Sequence, residues 1–305
     1  VPANYGRGGK EYHGLKISEA VVKADASNTP VPRLTPKTVF RHVTVISNFW
    51  TWLKDQGHVS GDNPVSGVYR KPKRERKRFP WSKDQLDAWF SSPVYTGCLS
   101  VSRRMDRGNT ITKDWIYWLP LLAAYSGARL GELAPLLTAD IIEVEGIPLI
   151  NIAPDEANRK LLKSEAARRR VPISSVVVSA GFLNYVAERR TAGDKRVFPT
   201  LRPGGVESIY SYKPSKTFPG LFAKAGVQAE GERVQFHGLR HTVQQAMRHA
   251  GVSDSLIKSI CGHDQRADMT FHYAGEHSLR QMRDAIELVR YGIGFENRLI
   301  GLARA

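Results

Sequence analysis

Along this chain Arg129, Lys163, His237 with Arg240, His263 and Tyr273 succeed one another in an order suited to phosphate chemistry. They stand in A-R-L-G-E (128–132), K-S-E-A-A-R-R-R-V-P (163–172), H-G-L-R-H (237–241), G-H (262–263) and F-H-Y (271–273). Cleaving a phosphodiester concentrates negative charge on the non-bridging oxygens as phosphorus becomes five-coordinate, so directional cations are needed there. Arginine suits that task, because its planar fork bonds two oxygens at once and stays charged. Arg129 and Arg240 are the pair expected at the phosphate, with Glu132 one turn on to hold Arg129 and His237 three residues from Arg240 on the same helical face. Tyrosine is a weak nucleophile at neutral pH, its phenol titrating near about 10, so it needs surrounding cations and a base. Its advantage is a reversible phosphodiester with DNA. Tyr273 is singled out from eleven tyrosines only by its place after His263, and Tyr291 is the fallback.

The leaving sugar hydroxyl needs a proton, which a protonated lysine on a hairpin can supply. Lys163 is favoured over Lys160; three apart on a strand, they face opposite sides. His263 follows Gly262 where the chain bends, and its imidazole can donate to a phosphate oxygen or help manage a proton.

Each fragment also has a plainer reading. Arg129 and Glu132 alone are a surface helix pair worth about a few tenths of a kcal/mol, and a lone loop histidine is more often structural. His237 and His241 have a zinc-like spacing, but the H-E-x-x-H glutamate and a third ligand are missing, so no metal site is expected; His241 is read as supporting the turn or the core.

The 305 residues suffice for two domains. Lys plus Arg 45 against Asp plus Glu 29 leaves +16, which favours a polyanionic partner, nucleic acid first. The bland alternative is a basic enzyme of other function. Charge placement argues against it: R-K-P-K-R-E-R-K-R (70–78) reads as a linker tracking a phosphate backbone through Arg70, Lys71, Lys73, Arg74, Arg76, Lys77 and Arg78, although taken alone such a run is as often a solvated hinge or a localisation-like tract. Arg168, Arg169 and Arg170 read as further backbone contacts or a solvated tip. The longest apolar stretch, 115–125, is too short for a bilayer, and the first thirty residues hold no signal-type apolar core, so a cytoplasmic protein without membrane contact is expected. Cys98 and Cys261 lack C-x-x-C spacing, against a disulfide framework or structural zinc. The chain starts at Val1 rather than Met, so a missing upstream segment, a domain or not, is left open.

The elements that must position these groups are mainly helical. Thr35-Pro36 offers an N-cap with proline at the first helical position, and apolar residues recur from Val39 to Leu53 at three- and four-residue steps until Gly57. A shorter helix over 16–26 precedes it. W-S-K-D-Q-L (81–86) gives Ser82 as N-cap, Gln85 as its reciprocal partner and Trp81 with Leu86 as a hydrophobic staple. Alternating β-branched runs over 139–173, with Glu145-Gly146 as a turn, predict a small antiparallel sheet. From Phe236 the pattern is helical again, broken at Gly251, Gly262 and Gly275, with two apolar-periodic segments near 279–290 and 295–303. The expected fold is thus mainly α with a small antiparallel sheet (α+β) in two domains: 1–70 helical, 71–80 a basic linker, and 81–305 mixed.

Taken together these residues resemble the tyrosine recombinase, or phage integrase, family. A-R-L-G-E-L is similar to its first arginine box, K-S-x(6)-V-P to its lysine hairpin, H-G-L-R-H-T to its His-x-x-Arg box, and C-G-H followed by Tyr273 to its third box and nucleophile. Residues 35–64, with F-x-x-W-L…G…N-P, resemble its core-binding domain. The resemblance implies that Tyr273 attacks the scissile phosphate to give a 3′-phosphotyrosyl link and a free 5′-hydroxyl, with no metal, ATP or other cofactor. It implies double-stranded DNA as partner, a homotetramer on DNA that is a monomer or weak oligomer when free, accessory DNA-bending proteins, a prokaryotic nucleoid-associated setting, and C-terminal docking into a neighbour. Integration, excision or transposition of a mobile element is the leading role. Resolution of chromosome or plasmid dimers, a type IB topoisomerase and a catalytically silent DNA-binding protein are the alternatives. Two departures stand out: Cys261 replaces the usual leucine before Gly-His, and the 263–273 gap is one residue longer than the commonest form.

Overall fold

The computed structural model describes residues 1–305 except 4, 6–9, 70, 73–78, 161–167, 228–233, 263–276 and 305, and gives no side-chain surroundings for 10 and 300–304. Lys163, His263, Tyr273 and Gly275, together with Arg70, Lys73, Arg74, Arg76, Lys77 and Arg78 of the basic run, therefore lie outside the described residues. The chain divides into two compact units, Val1–Lys77 and Arg78–Ala305.

The first unit contains α1 (Ile17–Asp25) and α2 (Pro36–Asp55). The Thr35 side chain accepts the Thr38 N–H, and Pro36 takes the first helical position, where a missing N–H is harmless. Tyr12, Ala20 and Ala24 make a small core with Tyr5, Leu15 and Val31. No residue of α2 is fully buried, and Phe49 and Trp52 stack at 5.9 Å on its exposed side.

The second unit is helical around one sheet. It runs α3 (Lys83–Phe90), α4 (Pro93–Thr96), α5 (Trp115–Ser126), α6 (Leu130–Leu133), β1 (Ile141–Val144), β2 (Ile147–Ile152), β3 (Arg169–Pro172), α7 (Ser175–Ser179), α8 (Phe182–Thr191), α9 (Tyr212–Lys224), α10 (Gly238–His249), α11 (Asp254–Cys261), α12 (Leu279–Glu287) and α13 (Gly294–Arg304). The sheet is antiparallel in the order β1-β2-β3, with Ile141 opposite Ile150 and Ile150 opposite Val171. Glu145 and Gly146 join β1 to β2 with φ of 53° and 73°, the paired left-handed residues that a tight hairpin demands.

Ser82 and Gln85 form the reciprocal cap of α3, at 3.2 and 2.9 Å. Trp81 packs edge-on against Phe222 of α9 at 4.7 Å. Every residue of α5 is buried; it is the post around which the unit is built, and α10 packs along it. Helix α9, which carries Pro219 in its interior, adds Phe218 and Phe222 to an aromatic cluster with Trp81, Trp89 and Trp115. Helix α13 folds back on its own unit: Phe295 meets Phe90 and Tyr95 at 5.3 Å each, and buried Glu296 accepts the Tyr125 hydroxyl at 2.6 Å and the Gly292 N–H at 2.8 Å. The described anchors of α13, Phe295 and Glu296, find their partners within the same chain. Among the described residues no helix is long and apolar enough to cross a membrane.

Candidate active site

Two helix ends and one helix start converge where the sequence puts its arginines. Helix α5 stops at Gly127, whose φ of +65° makes a left-handed cap. The turn leads directly into Arg129, the N-cap residue of α6. Helix α11 stops in the same way at Gly262, φ +65°. A Cβ on Gly127 would lie 2.9 Å from Cys261 Sγ, and one on Gly262 would lie 2.6 Å from Arg169 Nη1. Glycine at both places therefore answers the backbone conformation and the closeness of the neighbouring segment.

The carbonyls left without helical partners at these ends are taken by guanidinium groups, cations at the negative ends of helices. Arg240, in the first turn of α10 and 2% exposed, donates from Nη1 to Gly127 O at 2.7 Å. Arg129 donates from Nη2 to Gly262 O at 3.1 Å, and Arg169 donates from Nε to Ile260 O at 2.7 Å. Glu132 balances part of the charge. Its carboxylate accepts Arg129 Nη1 at 2.6 Å, the Arg129 backbone N–H at 2.8 Å and Arg169 Nη2 at 2.8 Å. Among the described residues, three guanidiniums against one carboxylate leave two positive charges in excess. A phosphodiester carries one negative charge and gains a second as phosphorus becomes five-coordinate, so the surplus matches the reacting group.

Burial pushes Glu132 upward, but the Arg169 guanidinium and then the donors of Arg129 more than offset this, and its carboxyl ends below the usual range. Burial also pushes Arg240 down, to about 10, with Arg129 and Arg169 acting the same way and Cys261 opposing; it stays cationic at neutral pH. The Cys261 thiol is pushed up by burial, against the pull of Arg240 and Arg169, so it sits as a neutral, space-filling group under Gly127. A guanidinium has five N–H donors. The Arg129 side chain is 28% exposed, and Arg240 Nη2 is buried with no partner among the described residues.

His237 caps α10, half-buried, with its ring 5.1 Å from that of His241 in an edge-on arrangement. The start of α10 is clamped by Trp81: its backbone N–H donates to Thr242 Oγ1 at 2.8 Å and its indole to Gln235 O at 3.1 Å. A Cβ on Gly238 would meet the indole at 2.6 Å, so the second residue of H-G-L-R-H must be small. Among the described residues no group of His, Cys, Asp and Glu is arranged to hold a metal ion.

One sequence-based reading changes, and the structure gives the surroundings of two alternatives. Arg169 is not a solvated tip: its side chain is 6% exposed and held by Glu132 and Ile260, because strand alternation puts it on the inward face with Val171. Arg168 and Arg170 are exposed, as is Lys71 in the other unit. Lys160, the competitor of Lys163, is consumed by a buried ion pair with Asp140 at 2.6 Å. Tyr291 donates its hydroxyl to Ala124 O and is pushed well above its ordinary value by burial, so the fallback nucleophile is a packing residue.

A family model described as the Phage integrase family matches residues 105–279, more than half of the chain. No curated protein sequence matches. Among solved structures the chain is similar to the XerH site-specific recombinase bound to palindromic difH substrate in a post-cleavage complex, with a TM-score of 0.53 and 14% identity over 88% of this chain and 67% of that one. It is similar to a lambda integrase dimer bound to a COC' core site, with a TM-score of 0.50 and 15% identity over 87% and 75%. It is also similar to the integrase from mycobacterium phage Brujita, with a TM-score of 0.45 and 18% identity over 93% and 82%. At such identities the likeness to the first two speaks to the fold alone.

Proposed function

This chain belongs to the phage integrase family, a site-specific recombinase that breaks and rejoins DNA by transesterification, and from that premise we propose which of its residues carry the reaction. Arg129 and Arg240 hold the non-bridging oxygens of the scissile phosphate and His237 assists them. Tyr273 attacks phosphorus, the P–O bond to the sugar breaks, and Lys163 gives the departing 5′-oxygen its proton. The product is a 3′-phosphotyrosyl ester. A 5′-hydroxyl from the partner strand then attacks that ester, Tyr273 leaves, and the phosphodiester is remade with no net loss of bond energy. His263 serves as a proton manager or oxygen donor during both halves.

The observation that carries this reading is the buried Arg240, whose Nη2 has no partner among the described residues, beside the part-exposed Arg129; the Gly127 carbonyl holds Arg240, and the Gly262 carbonyl and Glu132 hold Arg129. Burying a charged donor without a partner is unfavourable by about 1–3 kcal/mol or more. A phosphate oxygen would satisfy it.

Double-stranded DNA is the partner on this reading, gripped by Lys71, Arg168 and Arg170 together with the basic run through Arg78. Residues 1–70 form the core-binding domain, 71–80 the linker and 81–305 the catalytic domain. Each protomer supplies one nucleophile, and two duplexes exchanging two strands each require four cleavages, so the active assembly is a homotetramer on DNA. Integration, excision or transposition of a mobile element is the role we assign. The test is capture of a protein–DNA ester: wild type is expected to yield SDS-stable adducts at a 3′ end in EDTA, and Tyr273→Phe none. Adducts that persist in the variant would transfer the nucleophile's role elsewhere.

A further inference from the structure

The buried Arg169 is not used by the reaction as written, yet it lies among the cations of the site. It opens β3, separated by one residue from the segment 161–167 that holds Lys163. Its fork reaches two other elements: Nη2 to Glu132 of α6 at 2.8 Å and Nε to the Ile260 carbonyl at the end of α11 at 2.7 Å, while Nη1 lies across Gly262. Glu132 in turn grips Arg129 from two sides, and Gly262 is followed by His263. One rigid plane thus joins the strand beside the lysine, the acid that orients the first arginine, and the helix end that leads to the third box.

Stability alone is a poor reason for such a group, since a buried ion pair is often no better than apolar residues of the same volume. Lysine could not replace it, because a point charge on a flexible stem cannot span a carboxylate and a carbonyl on different elements. We infer that Arg169 is a positioning residue for strand cleavage, setting the distance between the lysine hairpin, Arg129 and the end of α11 without touching DNA. The inference rests on the reading proposed above, in which those three elements carry the reaction.

The test uses the full chain, a supercoiled plasmid carrying the DNA that flanks its gene, and two variants, Arg169→Met and Arg169→Lys. Three quantities are read: single-turnover adduct formation against pH, DNA affinity against salt, and melting temperature. For Arg169→Met the expected result is unchanged affinity and salt slope with cleavage about 100-fold slower, the scale of loss when a remote change misplaces reacting groups by about 1 Å. Its acid limb should move toward neutral pH, because Glu132 has lost a neighbouring cation. Arg169→Lys, which keeps charge without the fork, should fall between wild type and Arg169→Met. In a Glu132→Gln background the further loss on removing Arg169 should be much smaller than in wild type, since the residue acts largely through that carboxylate. A salt slope reduced by about 1, with cleavage per bound complex unchanged, would make Arg169 a phosphate contact and overturn the inference. Cleavage within twofold of wild type, or losses that multiply in the Glu132→Gln background, would overturn it too. Should Arg169→Met fail to fold, Arg169→Lys decides by the same readouts. If wild type itself forms no adduct while binding DNA, the reading of the site fails and the inference with it; a wild-type adduct with unaffected variants sinks Arg169 alone.

Discussion

Replacing Gly127 with alanine probes the joint from which both arginines are hung. Its φ of +65° is a conformation that a residue with a Cβ adopts at a penalty of about 1–2 kcal/mol. The new methyl would also lie 2.9 Å from Cys261 Sγ and 3.5 Å from a Val243 methyl. That sulfur is fully buried beside Arg240 and has little room to retreat, and overpacking of such a site adds about 1–3 kcal/mol. A loss of about 3 kcal/mol in all corresponds to a fall in melting temperature of about 6–12 °C in a unit of this size. Differential scanning calorimetry of the full chain measures it. Because the two penalties have separate causes, a cycle with Cys261→Ala should recover the steric share and leave the backbone share, giving a favourable coupling of about 1 kcal/mol or more. Cleavage should fall beyond what the melting temperature explains, since the Gly127 carbonyl anchors Arg240. A Gly127→Ala protein that melts within about 1 °C of wild type, or a cycle without coupling, would refute the reasoning.

Other consequences can be checked in parallel. Glu132→Gln leaves Arg169 buried without its counter-charge and should lose about 3 kcal/mol at neutral pH. Because the folded carboxyl titrates below its ordinary 4.5, the stability it supplies is present above that value and lost as pH falls through the lower folded one; urea midpoints should drop there in wild type and be flatter in the variant. Lys160→Gln should lower the melting temperature by breaking the buried Asp140 pair. Lys163→Gln should leave it unchanged while slowing cleavage by about 10²–10⁴-fold, the range of a lost general acid. Tyr291→Phe should lose about 1 kcal/mol from the hydrogen bond to Ala124 and still form adducts.

Local signals in the chain were readable where the cause is local. The Ser82–Gln85 cap, the Thr35-Pro36 start of α2 and the Glu145-Gly146 turn each depend on neighbours within a few residues. Helix α9 drew no reading from the sequence; Pro219 stands in its interior, and burial of Phe218 and Phe222 in the aromatic cluster outweighs the lost N–H. The long-range pairs were hidden as well. Nothing near Lys160 announces Asp140, twenty residues upstream. Arg169 is the instructive case: three consecutive arginines look like a solvated run, yet counting back by two from the apolar Val171 puts only the middle one on the buried face. The candidate site was legible as a set of residue types; the helix-end carbonyls that orient its arginines belong to the backbone, which composition does not display.

The central claim is that this chain breaks DNA with the phenol of Tyr273, using fixed arginines in place of a metal. Its most direct test is to incubate the protein in EDTA with supercoiled DNA carrying its own genomic flanks, stop with SDS, and sequence the protein-linked ends. The account predicts adducts at 3′ ends, mapped by mass spectrometry to the peptide holding Tyr273 and absent from Tyr273→Phe. DNA binding with no adduct, or an adduct on any other residue, would contradict it.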